Sequence, residues 1–370
     1  MLHHTETPAL ACCGYVAFLK EWRNSLWEQG QRAIIFQFYV SNRSRPKGIL
    51  RMDFAFEMIK AVLFGVVEGI SEWLPISSTG HMMLLNQFLP LNVSPEFYAT
   101  FLVVIQLGAI LAVLLLFFHK LNPFSPRKTP QEKKQTWGIW AKVVVGSIPA
   151  AVVGFALDDF FETHIANSDF GYIVVSTALI VYGVIFIVME AINRRRIAAA
   201  TQGNDRAYAG KHARPAAGNQ IQGKGQASPS EDASEAIAKV TTFEELSFAR
   251  AFGVGMFQAL AIVPGTSRSG SIIIGSMLLG CSRTIATEFA FFLAIPIMAG
   301  WSLIKFIKHG FAYTGLEWAV LGVGLVVAFL VSVLAIKFLV GYVKKNDFTA
   351  FGVYRIIVAV VVLVIFGVVA

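Results

Sequence analysis

Glu68-Gly69-Ile70-Ser71-Glu72-Trp73-Leu74-Pro75-Ile76-Ser77-Ser78-Thr79-Gly80-His81 sits inside an apolar region, residues 54–90, and interrupts it. Pro75 lacks the amide proton a helix interior needs, and Gly80 admits backbone angles that other residues avoid. A second apolar region, 250–281, is interrupted by Pro264-Gly265-Thr266-Ser267-Arg268-Ser269-Gly270. Neither half of either region reads as long enough to cross a bilayer, which takes about 20 apolar residues. Irregular backbone survives at membrane depth only when buried in protein or lining a wet cavity. Both regions therefore read as re-entrant helical hairpins.

Around them lie six unbroken apolar stretches, approximately 97–118, 138–157, 171–192, 285–304, 317–341 and 351–369. The expected fold is an all-α polytopic membrane protein with about six spanning helices plus two re-entrant hairpins. Composition agrees. Of 370 residues, 55% are hydrophobic and 15% charged, against about 25% charged in soluble domains. A disordered chain is excluded on the same ground. The net charge of +8 does not point to nucleic acid, because the basic residues fall in short loops between apolar runs.

Those loops set the expected orientation. Loop 119–137 carries Lys120, Arg127, Lys128, Lys133 and Lys134 against one acid. Loop 158–170 carries Asp158, Asp159, Glu162 and Asp169 and no Lys or Arg, and loop 193–250 opens with Arg194-Arg195-Arg196. The alternation puts 119–137 and 193–250 in the cytoplasm, with Lys344 and Lys345. Lys305 and Lys308 dissent, near an expected outer end, where they would snorkel. The first broken region would then open outward and the second toward the cytoplasm. Residues 1–51 hold seven Lys/Arg against three acids and no spanning run. They read as an extension outside the membrane domain of 52–370, with Met52 as an alternative translation start. Loop 200–235 is rich in Ala, Gly, Gln and Ser and reads as a flexible linker. Cys12, Cys13 and Cys281 show no metal-binding spacing and read as inert thiols.

The two broken regions resemble each other. Phe64-Gly65-Val66 precedes Glu68, Pro75, Ser78 and Gly80, and Phe252-Gly253-Val254 precedes Gln258, Pro264, Ser267 and Gly270. Glu96-Phe97 and Glu288-Phe289 follow, each opening a spanning helix. The organisation expected is an inverted-topology repeat, about 54–192 and about 250–370, joined by a loop at about 193–249. Such repeats place a binding site near the midplane.

The charged residues at that depth carry the chemistry. Glu68 and Glu72 are spaced to share a helix face, so either one is protonated or a cation lies between them. Hard oxygens suit Mg²⁺ or Ca²⁺. Ser77, Ser78, Thr79 and His81 follow, a hydroxyl-rich turn in which His81 would act as base, acid or phosphate anchor. Simple helix capping by Ser77 or Thr79 is the plainer alternative. Gly265, Thr266, Ser267, Ser269 and Gly270 precede a helix N-terminus suited to an anion, and Arg268 adds a planar fork for phosphate or for Glu68 or Glu72. Gln258 occupies the repeat position of Glu68 and would orient polar neighbours. The inventory fits metal-assisted hydrolysis of a lipid phosphate ester or anhydride.

Both motifs resemble the two signatures of the undecaprenyl-diphosphatases of the bacitracin-resistance type, over about Met52 to Ala370. The resemblance implies removal of the terminal phosphate of undecaprenyl diphosphate, recycling a carrier lipid for cell-wall synthesis and conferring bacitracin resistance. It implies an inner-membrane enzyme whose site faces the periplasm and depends on Mg²⁺ or Ca²⁺. Glu68 and Glu72 would serve metal and catalysis, and Ser78, His81 and Arg268 attack and phosphate binding. The partners would be a polyprenyl diphosphate and membrane lipids, with a homodimer allowed and no nucleic acid. One departure lies near the site: a threonine expected after the second signature is Ile272, which leaves Ser271 as the nearby hydroxyl. Two other readings compete. A phosphatidic-acid-type phosphatase needs a lysine ahead of its Arg-Pro pair, which Arg45 and Arg214 lack. A lipid-phosphate transporter would share the repeat but not need a Ser/His pair.

Overall fold

The structure is a computed structural model that describes residues 47–161, 164–165, 170–211 and 237–369. Cys12, Cys13 and almost all of the 1–51 extension lie outside the described residues, as does 212–236 of the expected linker. The chain divides into two units, Met1–Phe56 and Glu57–Ala370. Of the first, only residues 47–56 are described; the packed helices and the site belong to the second.

Ten helices organise the described residues: α1 (Lys47–Ser71), α2 (Ser78–Phe88), α3 (Pro95–Leu116), α4 (Pro130–Phe161), α5 (Gly171–Lys211), α6 (Phe248–Ala259), α7 (Arg268–Leu278), α8 (Arg283–His309), α9 (Gly315–Lys345) and α10 (Thr349–Val369). A helical turn at Phe118–Leu121 and a 3₁₀ turn at Leu260–Ile262 complete them. Six helices are long and apolar enough to cross a membrane: α3, α4, α5, α8, α9 and α10. Each covers one of the six stretches read from sequence. α5 continues to Lys211, so the first part of the segment read as a linker is helix.

Both interruptions fall where the motifs sit. α1 ends at Ser71 and α2 begins at Ser78, while α6 ends at Ala259 and α7 begins at Arg268. α2 and α7 are each 11 residues long. Ser77 at φ 71° and Ser267 at φ 69° are the two non-glycine residues with positive φ among the described residues. Each stands immediately before a short helix. A β-carbon in that region costs about 1–3 kcal/mol, and such strain persists only where surroundings impose it. The backbone also corrects the register of the motifs: Ser267 matches Ser77, and Ser78 matches Arg268. The expected Glu96/Glu288 match is looser. Glu96 lies in the first turn of α3, but α8 opens at Arg283, so Glu288 falls in its second turn.

α1 is longer than the sequence suggested, 25 residues in all. Asp53, Glu57, Lys60 and Glu68 punctuate it, and it is not among the six apolar helices. α5 packs on α10, α3 on α8 and α9, and α4 on α6. Small residues permit two of these crossings. A β-carbon at Gly183 would lie 2.7 Å from the Gly352 carbonyl oxygen, and one at Gly255 would lie 2.1 Å from that of Gly146. Lipid offers helices no hydrophobic reason to associate, so close backbone packing of this kind takes over. Leu115, Leu334, Phe338 and Val364 project outward from the spans as an apolar exterior. The largest buried cluster surrounds the two breaks, with Trp73 edge-on to Phe291 at 5.3 Å.

Candidate active site

Glu72 continues the geometry of α1 past its last helical residue, its amide donating to the Glu68 carbonyl over 3.0 Å. The two side chains therefore leave the same face one turn apart. Glu68 is 1% exposed, and its Oε1 has no hydrogen-bond partner. The chain then turns through Pro75 and Ser77 and re-enters helix at Ser78. That turn brings the Ser78 hydroxyl back to donate to Glu72 Oε2 at 2.9 Å.

From the other break, Arg268 opens α7. Its Nη1 lies 3.6 Å from Glu72 Oε1, and its Nη2 donates to Gln106 Oε1 of α3 at 3.5 Å. Thus Ser78 and Arg268, the first residues of two matched short helices, converge on one carboxylate. They enclose a polar chamber of about 80 Å³ with Thr79, Gln106 and Ser267. A cavity of about 260 Å³ adjoins it. That cavity shares Glu68, Ser78, Thr79 and Gln106 with the site and adds Met82, Met83, Leu102 and Pro264 as apolar wall.

His81 goes elsewhere. Its Nδ1 contacts the Ser77 carbonyl at 2.7 Å, and its Nε2 the Tyr354 hydroxyl at 2.9 Å. A carbonyl only accepts, so Nδ1 carries the proton and Nε2 accepts from the phenol. The rings stack 5.6 Å apart. The structure thus hydrogen-bonds Ser78 to Glu72, not to His81.

In the second break most polar groups serve the backbone. Ser267 Oγ accepts from the Gly270 amide at 3.2 Å as a helix cap, whereas Ser77 makes no such cap. Ser269 donates to the Glu72 carbonyl at 3.0 Å, and Thr266 to the Val263 carbonyl at 2.8 Å. The Thr266 and Gly270 amides are likewise engaged within the break. Gly265 has φ 95°, and a β-carbon there would meet the Val175 carbonyl oxygen at 2.5 Å. Ser271 donates to the Tyr182 hydroxyl and Ile272 is core, so neither replaces the missing threonine hydroxyl in the chamber. Gln258 is 2% exposed, with neither amide atom partnered.

Sequence reading missed two residues. Gln106 lines the chamber from the apolar α3. Arg355 of α10 is fully buried and donates to Pro75 O at 3.1 Å, and to Gly265 O and Thr266 O at 2.9 Å each. One guanidinium thus fastens both breaks. The available signal was a lone arginine inside an apolar span, which is rare without a task. Lys305 also departs from expectation: it is 8% exposed and lines a cavity with Arg268.

Cys281 is buried and free.

The family described as bacitracin resistance protein BacA matches residues 61–361. The chain is 46% identical over 310 residues to the undecaprenyl-diphosphatase of Acetivibrio thermocellus, covering 84% of this chain and 98% of that protein. It is 46% identical over 310 residues to undecaprenyl-diphosphatase 1 of Clostridioides difficile, covering 84% and 96%. The undecaprenyl-diphosphatase of Enterococcus faecalis is 44% identical over 307 residues, covering 82% and 95%.

Proposed function

The chain belongs to the bacitracin resistance protein BacA family, and on that premise we propose that its polar chamber splits undecaprenyl diphosphate into undecaprenyl phosphate and inorganic phosphate. It is a multi-pass membrane enzyme, a hydrolase that acts on a lipid diphosphate. Bacitracin resistance follows from the family. The observation that carries the chemistry is the chain of contacts Ser78–Glu72–Arg268, enclosed beside the partnerless Glu68 oxygen.

In this reading Arg268 releases Glu72 and takes the oxygens of the terminal phosphate. Its fork matches those oxygens in plane and charge. Glu72 accepts the Ser78 proton along the 2.9 Å hydrogen bond already present. Ser78 Oγ bonds to the terminal phosphorus, and the bond from that phosphorus to the bridging oxygen breaks. The electron pair leaves with undecaprenyl phosphate. Glu72 hands the proton to the departing monophosphate oxygen; it then takes a proton from water, whose oxygen bonds to the phosphorus as the P–Oγ bond of the phosphoserine breaks, and returns that proton to Ser78 Oγ as phosphate is freed. His81 orients the turn through the Ser77 carbonyl and does not take the proton. The apolar cavity beside Ser78 accommodates the first isoprenoid units of the substrate.

The residues present fit a divalent ion. Two carboxyls one helical turn apart, one with a bare buried oxygen, are hard donors that repel unless a proton or cation intervenes. Among the described residues no cluster of three or more His, Cys, Asp or Glu exists. Glu68 and Glu72 would therefore hold the ion and leave the other positions to water and diphosphate. Mg²⁺ is commonly bound by one or two carboxylates in this way, and Ca²⁺ uses the same donors. Bound there, the ion would neutralise phosphate charge.

The site is assigned to the periplasmic side on loop charge alone, since the basic loops 119–137 and 193–250 mark the opposite face. The matched serines and matched short helices support the inverted repeat.

The test is phosphate release from undecaprenyl diphosphate by the purified protein in detergent. Release is expected with Mg²⁺ or Ca²⁺ and lost with chelator. Release no faster than from empty micelles would overturn the assignment.

A further inference from the structure

A cavity of about 430 Å³ opens between the end of the α5 span, the start of α6 and the turn from α7 into α8. Among the described residues it shares no lining with the chamber at Ser78. Its size falls within the roughly 300–1,000 Å³ of small-molecule sites. Arg196 of α5, Lys239, Arg250 of α6 and Arg283 of α8 line it. Arg196 comes just before the end of the apolar span Gly171–Ala199, and Arg283 opens the span Arg283–Lys308. The cavity therefore lies where two spans meet the aqueous boundary, at the level of lipid phosphates.

The four cations are not equivalent. Arg283 is engaged inside the fold, where its Nε and Nη2 donate to Glu190 at 3.0 and 2.6 Å. Arg250 makes one long contact, Nη1 to the Glu245 carbonyl at 3.5 Å. Arg196 and Lys239 are exposed, and among the described residues neither side chain has a hydrogen bond or ion pair. Lys239 is nevertheless held in place by its backbone. Its amide donates to the Gly280 carbonyl at 2.8 Å, and the Ser282 amide donates to the Val240 carbonyl at 2.9 Å. Gly280 has φ 91°, and a β-carbon there would come within 3.3 Å of the Lys239 Cβ. Cations gathered at one cavity repel each other, and a shared anion reverses that cost. The wall also carries Met277, Leu278 and Leu279, and Leu278 is 60% exposed. Cations beside an apolar edge suit an amphiphile with a phosphate head.

We propose that this cavity binds the phosphate of an anionic membrane phospholipid, of which phosphatidylglycerol is the simplest. Arg196 offers its planar fork to the phosphate oxygens, and Lys239 and Arg250 add charge around them. The glycerol and the first methylenes of the acyl chains lie against Leu278. Basic pockets between membrane helices recognise anionic headgroups in this way. A free phosphate offers the same oxygens but brings nothing for the leucines. The bound lipid bridges the end of the α5 span to the α7–α8 turn.

Native mass spectrometry of the intact protein in neutral detergent, titrated with phosphatidylglycerol or with phosphatidylcholine of matched chains, tests it. One saturable phosphatidylglycerol is expected, held about tenfold tighter than phosphatidylcholine. Arg196→Gln and Lys239→Gln should each weaken it about fivefold, the effect of one basic residue at a lipid surface. Arg196→Lys should stay within about twofold of native. Both positions are exposed, so the Tm without lipid should not change. Arg195→Gln is the control, because Arg195 is equally exposed and adjacent in sequence but does not line the cavity. Equal losses in the Arg195 and Arg196 variants would overturn the proposal, since general attraction of a basic helix end to anionic lipid would then account for the binding. Equal affinity for the two lipids would also overturn it. Displacement of the lipid by an equal concentration of inorganic phosphate would overturn the lipid assignment, because the cavity would then take the free anion.

Discussion

The two breaks share a backbone and divide the work. Each bends the chain at a positive-φ serine and restarts it as an 11-residue helix. In the first break the side chains face the chamber: Ser77 caps nothing, Ser78 reaches Glu72, and Glu68 keeps a bare oxygen. In the second they face the chain: Ser267 caps α7, Ser269 ties back to the Glu72 carbonyl, and Thr266 closes its own turn. Arg268 is the exception that crosses over. Two similar bends thus carry unequal side chains: Glu68 precedes one and Gln258 the other, and the short helices open on Ser78 and Arg268. An acidic and a basic break meet at a single carboxylate.

Substitutions that treat the halves alike will show how deep the division runs. Glu72→Gln removes the base and the Arg268 counter-charge together while leaving Ser78 an amide oxygen to donate to. Its rate of phosphate release should fall by about 10³-fold or more. Ser78→Ala should follow at about 10²–10³-fold, while Ser269→Ala, a hydroxyl of the other break, should lose less than about tenfold in rate and show its effect as a lowered Tm. Equal losses in the two serine variants would erase the distinction. Arg355→Leu strands three buried carbonyls and should lower Tm and activity together, at a cost of about 3–5 kcal/mol. Arg355→Lys, with one point charge in place of a fork, should recover only part. His81→Gln should cost about 10–100-fold, less than Glu72→Gln, and Tyr354→Phe only a few-fold. A His81 loss matching that of Glu72 would return the proton to the imidazole. The smallest effect is thermal: Ser77→Gly should not lower Tm, since it relieves positive-φ strain and loses no cap. Ser267→Gly forfeits the Gly270 cap and should gain less or lose.

Much of this was legible in the sequence because it is local. Apolar length marks a span, and Pro75 and Pro264 mark the breaks. Six stretches became six helices long and apolar enough to span, with starts moved slightly by caps such as Ser94 and Ser282, while α4 begins earlier, at Pro130, and α5 runs on to Lys211. The spacing of Glu68 and Glu72 also survived, since an i, i+4 relation is a property of the helix. What remained hidden depends on partners far along the chain. Sequence offers His81 as base, acid or phosphate anchor beside Ser78, but a helix start at Ser78 aims the hydroxyl back at Glu72 and the imidazole at Tyr354, 273 residues away. Gln106 and Arg355 were hidden in apolar runs whose averages concealed them. Lys305 was placed by its position near a helix end, a rule for lipid-facing lysines, and α8 turns it inward.

Arg355 also imposes an order of events on biosynthesis. Its contact with Pro75 spans 280 residues. At about 5–20 residues per second of translation, roughly 15–60 s pass between the emergence of the first break and that of the side chain that fastens it. The first break exists without its clasp throughout that interval, and the second for the 90 residues that separate Gly265 from Arg355. The nascent protein is therefore held short of a formed chamber until α10 arrives, and a ribosome that stalls before α10 leaves behind an inert membrane protein rather than a poorly controlled hydrolase.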